Sequence, residues 1–191
     1  MTDAYLEKEV NNTILKLKEG KIILYPTDTI WGIGCSVKDS NAVKRIFSIK
    51  QRPEEKKLIL LVADMEMLKE YVTNIPDEVI RLINKAKEPL TVIYTQVKNL
   101  PDDLLGPNNT IAIRIPDDLF CKVLIKELGH PITSTSANIF NSPIPGSFQE
   151  IQKGILKGVD YIVNLRQSEP TLKRASKIVR FNKGILYYLR N

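Results

Sequence analysis

Residues 46–62 read IFSIKQRPEEKKLILLV. Ala42, Val43, Ile46 and Phe47 recur at helical spacing, and Pro53 ends that helix because it offers no amide and clashes with the preceding turn. Leu58 to Val62 is an unbroken apolar run of strand length, as in a strand buried on both faces. Helix, turn and buried strand together are the repeating unit of an α/β sheet. The turn carries Lys50, Arg52, Lys56 and Lys57, four cations within eight residues. A helix dipole favours the first two at its C-terminal end, and Glu54 and Glu55 can offset the rest. The rim of an α/β sheet is also a common place for ligands, and like charges this close are relieved by a bound anion.

Working outward, Leu6, Val10, Ile14 and Leu17 predict a helix over Asp3 to Lys18, and Lys21 to Tyr25 predicts a strand ending at Pro26. PTDTIWGIGC reads as the loop after it, and Asp39, Ser40 and Asn41 are caps for the helix that reaches Pro53. Downstream, helices are expected at Met67–Tyr71, Asp77–Lys87, Asp118–Leu128 (closed by Gly129) and Phe148–Leu156. Strands are expected at Leu90–Tyr94, Thr110–Ile115, Pro131–Ser134, Tyr161–Leu165, Ser176–Arg180 and Ile185–Leu189. The expected fold class is α/β, one domain over 1–191, with a mixed sheet flanked by helices.

The chain has 191 residues with 43% hydrophobic and 26% charged content, ordinary for a globular protein. No apolar run approaches the thickness of a bilayer and the start lacks the plan of a signal peptide, so a cytoplasmic protein with no membrane partner is expected. Cys35, Cys121 and His130 lie at no metal-site spacing, so no protein metal site is expected. With 28 Lys and Arg against 22 Asp and Glu, the formal charge of +6 favours an anionic partner or serves solubility alone.

Two further stretches carry polar chemistry. PITSTSAN, residues 131–138, leaves a strand with four successive hydroxyls and an amide able to donate to phosphate oxygens, or simply follows β propensity into a turn. In PTDTIWGIG, residues 26–34, the glycines let a ligand approach the backbone, and Trp31 either walls a pocket or joins the core. Walker, dinucleotide-fold, zincin and serine-hydrolase motifs are all missing, and one histidine in the chain argues against His-centred catalysis. Charge stabilisation by Lys and Arg suits this inventory.

YPTDTIWGIG, KQRPEEKKLILL, PLTVIY, TIAIRIP, STSAN with its downstream prolines, and SKIVR before Arg190 resemble, in order and spacing, the YrdC/Sua5 family. The resemblance implies a YrdC/RibB-like twisted mixed sheet around a basic concave cavity. It also implies threonylcarbamoyl-AMP synthase activity: L-threonine, bicarbonate or CO2, and ATP with Mg2+ as cofactor give threonylcarbamoyl-adenylate and pyrophosphate. The adenylate would pass to a TsaD-type transferase complex for t6A37 modification of tRNA. By the resemblance, Thr29, Arg114 and Ser176 hold L-threonine. Lys50, Arg52, Lys56, Thr110, Ser136, Asn138 and Arg190 line the ATP site, with Gly146 or Ser147 at a position where relatives often place a hydroxyl. Lys50 and Arg52 would be the catalytic charges. Leu61 stands where longer relatives often have His, Lys56–Lys57 replace a common Asn-Pro, and Lys87–Glu88–Pro89 replace Pro-Gly-Pro. The alternative is a double-stranded RNA or tRNA-binding module using the same basic concavity without catalysis, although no aromatic RNA-reading signature is present.

Overall fold

A computed structural model describes residues 3–171, 174–182 and 185–190. Its helices are α1 (Asp3–Lys18), α2 (Ser40–Lys50), α3 (Met65–Tyr71), α4 (Asp77–Lys85), α5 (Leu119–Leu128) and α6 (Lys153–Gly158). The strands are β1 (Ile23–Tyr25), β2 (Gly32–Gly34), β3 (Ile59–Leu61), β4 (Leu90–Tyr94), β5 (Ile111–Arg114), β6 (Ile132–Ser136), β7 (Tyr161–Ile162), β8 (Lys177–Asn182) and β9 (Ile185–Arg190). They form one mixed, twisted sheet in the order β7-β1-β2-β6-β3-β5-β4-β8-β9, with α1 against α5 and β1, and α2 against β2 and α6.

The caps legible in the sequence set the helix ends. The Asp39 carboxylate accepts from the Ala42 amide at 2.9 Å to start α2, and Asp118 accepts from Cys121 at 2.9 Å to start α5. Gly129 closes α5 at φ 76°, the left-handed turn that glycine makes without steric cost.

Strand register sorts the sheet into two functional faces. Thr133, Leu60, Ile113, Val92 and Val179 pair in one continuous row, each at most 2% exposed, and form the centre of the core. One residue away, Ser134, Ile59, Ala112 and Ile93 pair in a row that faces the other side. Paired residues share a face and successive ones alternate, so the second row floors a hollow instead of a core. The run Leu58–Val62 is thus not uniformly buried: Ile59 is half-buried while its neighbours are enclosed.

Three expectations from sequence differ from the structure. The stretch read as a loop contains β2, which pairs antiparallel with β1 and β6. A strand of Gly-Ile-Gly has too few side chains to show alternation, and packing against Tyr25 selects the glycines. A Cβ on Gly34 would strike the Thr133 carbonyl oxygen and come within 3.1 Å of the Tyr25 ring. Gly34→Ala is therefore expected to lower the unfolding free energy by about 1–3 kcal/mol, read as a lower urea midpoint at unchanged slope.

The helix expected at Phe148–Leu156 is a 3-10 turn at Phe148–Glu150 followed by α6. Ile151 and Gln152 adopt extended ψ values of 125° and 138° between them, which buries Ile151 in the core. The strand expected at Tyr161–Leu165 stops at Ile162, since the Asn164 amide leaves the ladder to donate to the Glu9 carboxylate at 2.7 Å. No described helix is long and apolar enough to cross a membrane.

Candidate active site

The face that carries Ser134, Ile59, Ala112 and Ile93 floors a cavity of about 310 Å³ bounded by the 27–32 loop, the 52–58 turn, the 106–112 segment and the start and end of the β8–β9 pair. Of the residues expected at the site, Thr29, Arg52, Thr110, Arg114, Ser136, Ser176 and Arg190 line it.

Arg114 stands at the end of β5, opposite Leu61 of β3, with its side chain only 3% exposed. Its Nη1 donates to Asp28 Oδ1 at 2.9 Å, and Asp28 Oδ2 in turn accepts from the Asp117 amide at 3.1 Å. Nη2 reaches Thr29 Oγ1 at 3.4 Å, whereas Nε is buried with no hydrogen-bond partner among the described residues. Held by Asp28 and close to Thr29 on a side chain that lines the cavity, the guanidinium can offer its remaining Nη hydrogens to a carboxylate there.

Arg190 donates through Nε to the Ser176 carbonyl at 2.9 Å and through Nη2 to the Ser176 hydroxyl at 3.3 Å. That hydroxyl also lies 2.7 Å from Thr91 Oγ1, which is fully buried beneath it. Arg52 is held over the turn by the carbonyls of Lys56 and Lys57 and lies 5.8 Å from the Phe140 ring centroid. Among the described residues, neither Arg52 nor Arg190 meets a carboxylate.

Burial lowers the pKa of Arg52, with Arg190 adding to the effect. Burial likewise lowers that of Arg190, with Arg114 adding to it. Lys50 is pushed down to about 7 by burial and then by Arg52. These four groups thus repel one another; among the described residues Asp28 alone forms an ion pair with one of them, and the cavity wall contributes a single further carboxylate, Glu55. An anionic ligand would supply the missing compensation.

Five expected residues do not line the wall. Lys50 is 1% exposed, and its ammonium donates to the carbonyls of Ser136 and Asn138 at 2.5 and 2.6 Å, tying the end of α2 to the segment after β6. Asn138 accepts from the Ser136 hydroxyl and donates to the Ser142 carbonyl at 2.6 Å, which shapes the same segment from within. Lys56 points out to solvent, and Lys57 lines the cavity in its place, donating to the Asp103 carbonyl at 2.7 Å. Gly146 is bound through its amide to Glu150 at 2.7 Å, and Ser147 pairs with Pro170.

Asp28 and Thr91 are contributors that the sequence reading did not single out as site residues, while Lys57, marked there as one cation of the turn, takes the place on the wall expected of Lys56. Asp28 lies inside a motif already marked, but nothing local reveals its pairing with a residue 86 positions away.

A family model for Sua5, YciO and YrdC proteins, described as "Telomere recombination", matches residues 16–191. A threonylcarbamoyl-AMP synthase of Pseudoalteromonas translucida is 35% identical over 151 residues, covering 78% of this chain and 81% of that protein. One of Pyrococcus abyssi is 33% identical over 149 residues, covering 78% of this chain, so the match spans less than half (44%) of that longer protein. Among solved structures, P. abyssi Sua5 complexed with L-threonine superposes with a TM-score of 0.83 at 28% identity, over 95% of this chain and 53% of that one. E. coli YciO does so with a TM-score of 0.84 at 26% identity, over 96% and 89%. The chain, with its mixed nine-stranded sheet, belongs to the Sua5/YciO/YrdC family.

Proposed function

We propose that the protein is a threonylcarbamoyl-AMP synthase that joins L-threonine, bicarbonate or CO2, and ATP. The observation that carries this reading is the convergence of Arg52, Arg114 and Arg190 on one cavity, with Asp28 their single carboxylate partner among the described residues. Such a site has room for both a carboxylate and a polyphosphate. The names of the family relatives and the threonine held by P. abyssi Sua5 support the same reading.

Arg114 grips the threonine carboxylate through its remaining Nη hydrogens, and Thr29 and Ser176 flank it with hydroxyls. The threonine amine adds to CO2 and loses a proton, giving N-carboxy-threonine. An oxygen of the new carboxylate then attacks the α-phosphorus of ATP, and the bond to the β-phosphate oxygen breaks, releasing pyrophosphate. ATP enters as its Mg2+ complex, in keeping with a wall that offers Glu55 alone as an acidic side chain. Arg52 and Arg190 stabilise charge on the transferring and departing phosphates, while Thr110 and Ser136 supply hydroxyl donors. Lys50 acts one step back: by holding the Ser136 and Asn138 carbonyls it sets the direction of that segment toward the phosphates. The enzyme mainly positions reactants. The adenylate goes to a TsaD-type transferase complex in the cytoplasm for t6A37 modification of tRNA.

The deciding assay incubates the protein with ATP, Mg2+, labelled bicarbonate and each amino acid in turn, followed by product mass. The expected result is threonylcarbamoyl-adenylate and pyrophosphate with threonine alone. No product, together with salt-sensitive RNA binding indifferent to threonine, would favour the RNA-binding module instead.

Lys50 gives this reading a pH signature. At pH 8 a lysine with a pKa of about 7, buried behind the cavity wall, is mostly neutral in the empty protein, and a polyanion arriving nearby raises that pKa, so Mg–ATP binding takes up a proton. Calorimetry at pH 8 in buffers of different ionisation enthalpy should show net uptake, lost in Lys50→Met; heats independent of buffer would contradict it. In the empty protein the unfolded chain holds this proton between about 7 and 10.5 while the folded chain does not. The Lys50 contribution to stability therefore rises with pH across that window.

A further inference from the structure

The turn that carries Thr29 is tied together by one hydroxyl. Thr27 Oγ1 lies 2.7 Å from the Ile30 carbonyl oxygen and 2.9 Å from Thr29 Oγ1, and it accepts from the amides of Thr29 at 3.0 Å and Ile30 at 3.3 Å. Both threonines line the cavity, and Thr29 is only 4% exposed.

These contacts fix where the protons are. Two oxygens this close repel unless a hydrogen lies between them, and each threonine hydroxyl has one to give. The Ile30 carbonyl has none, so the contact at 2.7 Å takes the Thr27 proton. The contact at 2.9 Å then takes the Thr29 proton. No other assignment puts a hydrogen in both contacts. Thr29 Oγ1 therefore offers its remaining neighbours lone pairs alone. One faces Arg114 Nη2 at 3.4 Å, and the other has no donor among the described residues.

We propose that Thr27 is a positioning residue: it engages the Thr29 proton and so makes Thr29 a hydrogen-bond acceptor, which receives an N–H of the α-amino group of the amino-acid substrate. The proposal deepens the threonine site described above and rests on that reading. With the carboxylate on Arg114, an acceptor oxygen 3.4 Å from the same guanidinium repels carboxylate oxygens. It suits instead the nearest donor of an amino acid, the amino group one carbon away. Thr27 acts through Thr29, because its own proton and lone pairs are engaged within the turn.

The test is calorimetric titration without ATP, comparing L-threonine with (R)-3-hydroxybutyrate, which lacks the amino group, and with L-2-aminobutyrate, which lacks the side-chain hydroxyl. The wild-type protein should bind threonine at least about tenfold more tightly than (R)-3-hydroxybutyrate. Thr27→Val keeps the shape and releases the Thr29 proton, so this preference should fall to within about threefold, while the preference over L-2-aminobutyrate stays as it was. Thr27→Ser restores the hydroxyl and should restore the wild-type preference. A role confined to holding the turn would weaken all three ligands alike and leave the ratios unchanged. Thermal melts by circular dichroism establish that each variant is folded.

An unchanged preference in folded Thr27→Val, or a change seen only against L-2-aminobutyrate, would overturn the proposal. So would a wild-type protein that holds (R)-3-hydroxybutyrate as tightly as threonine, whether or not any variant folds. In each of these cases product formation from threonine would still stand. Wild-type protein that makes no threonine-dependent product would sink the activity and this assignment with it.

Discussion

Arg114→Ala is expected to lower kcat/KM for threonine by on the order of a thousandfold. The estimate follows from two charge-assisted hydrogen bonds to the substrate carboxylate worth roughly 2 kcal/mol each. The same change strands Asp28, whose side chain is 6% exposed and pairs with Arg114 at 2.9 Å. Leaving one member of a buried pair uncompensated costs about 3–5 kcal/mol, which for a chain of this size lowers Tm by roughly 10 °C. Loss of activity could then be mistaken for loss of fold, and a double variant separates the two. Arg114→Met with Asp28→Asn replaces the ion pair by neutral groups of similar size and should recover most of the Tm while turnover stays absent. Recovery of turnover together with stability would show that Arg114 serves the scaffold and not the substrate.

Arg52→Ala should have the opposite balance of effects. Among the described residues Arg52 is hydrogen-bonded only to carbonyls of its own turn, and it shares the cavity with Arg190, whose charge helps lower its pKa. Removing it relieves repulsion in the empty protein and frees two carbonyls beside solvent, so stability should change by less than about 1 kcal/mol. Threonine-, bicarbonate- and ATP-dependent pyrophosphate release should fall by roughly a hundredfold or more, the scale for one lost donor to a charged transition state. Threonine binding measured without ATP should be retained. Near-normal turnover in Arg52→Ala would remove the guanidinium from the reaction.

Much of the frame was legible because local chemistry fixes it. Asp39, Asp118 and Gly129 cap their helices as their side chains and backbone freedom dictate, and the apolar stretches at Leu90–Tyr94 and Leu58–Val62 are strands. β2 was not legible, because glycine strands carry no pattern and their selection comes from a tyrosine ring and a carbonyl supplied by other strands. The site was legible as a collection of cations but not as an arrangement. Composition cannot show that Lys50 turns inward to two carbonyls while Lys57 takes a place on the wall. The pairing of Arg114 with Asp28 spans 86 residues and depends on β5 lying beneath the 26–31 loop, a property of the assembled sheet.

The most direct measurement is a crystal structure with L-threonine and a non-hydrolysable ATP analogue bound together. The threonine carboxylate should sit on the Arg114 guanidinium, and the triphosphate should run between Arg52 and Arg190 with its α-phosphate turned toward the threonine amine. Threonine bound away from Arg114, or phosphates contacting neither Arg52 nor Arg190, would contradict the account.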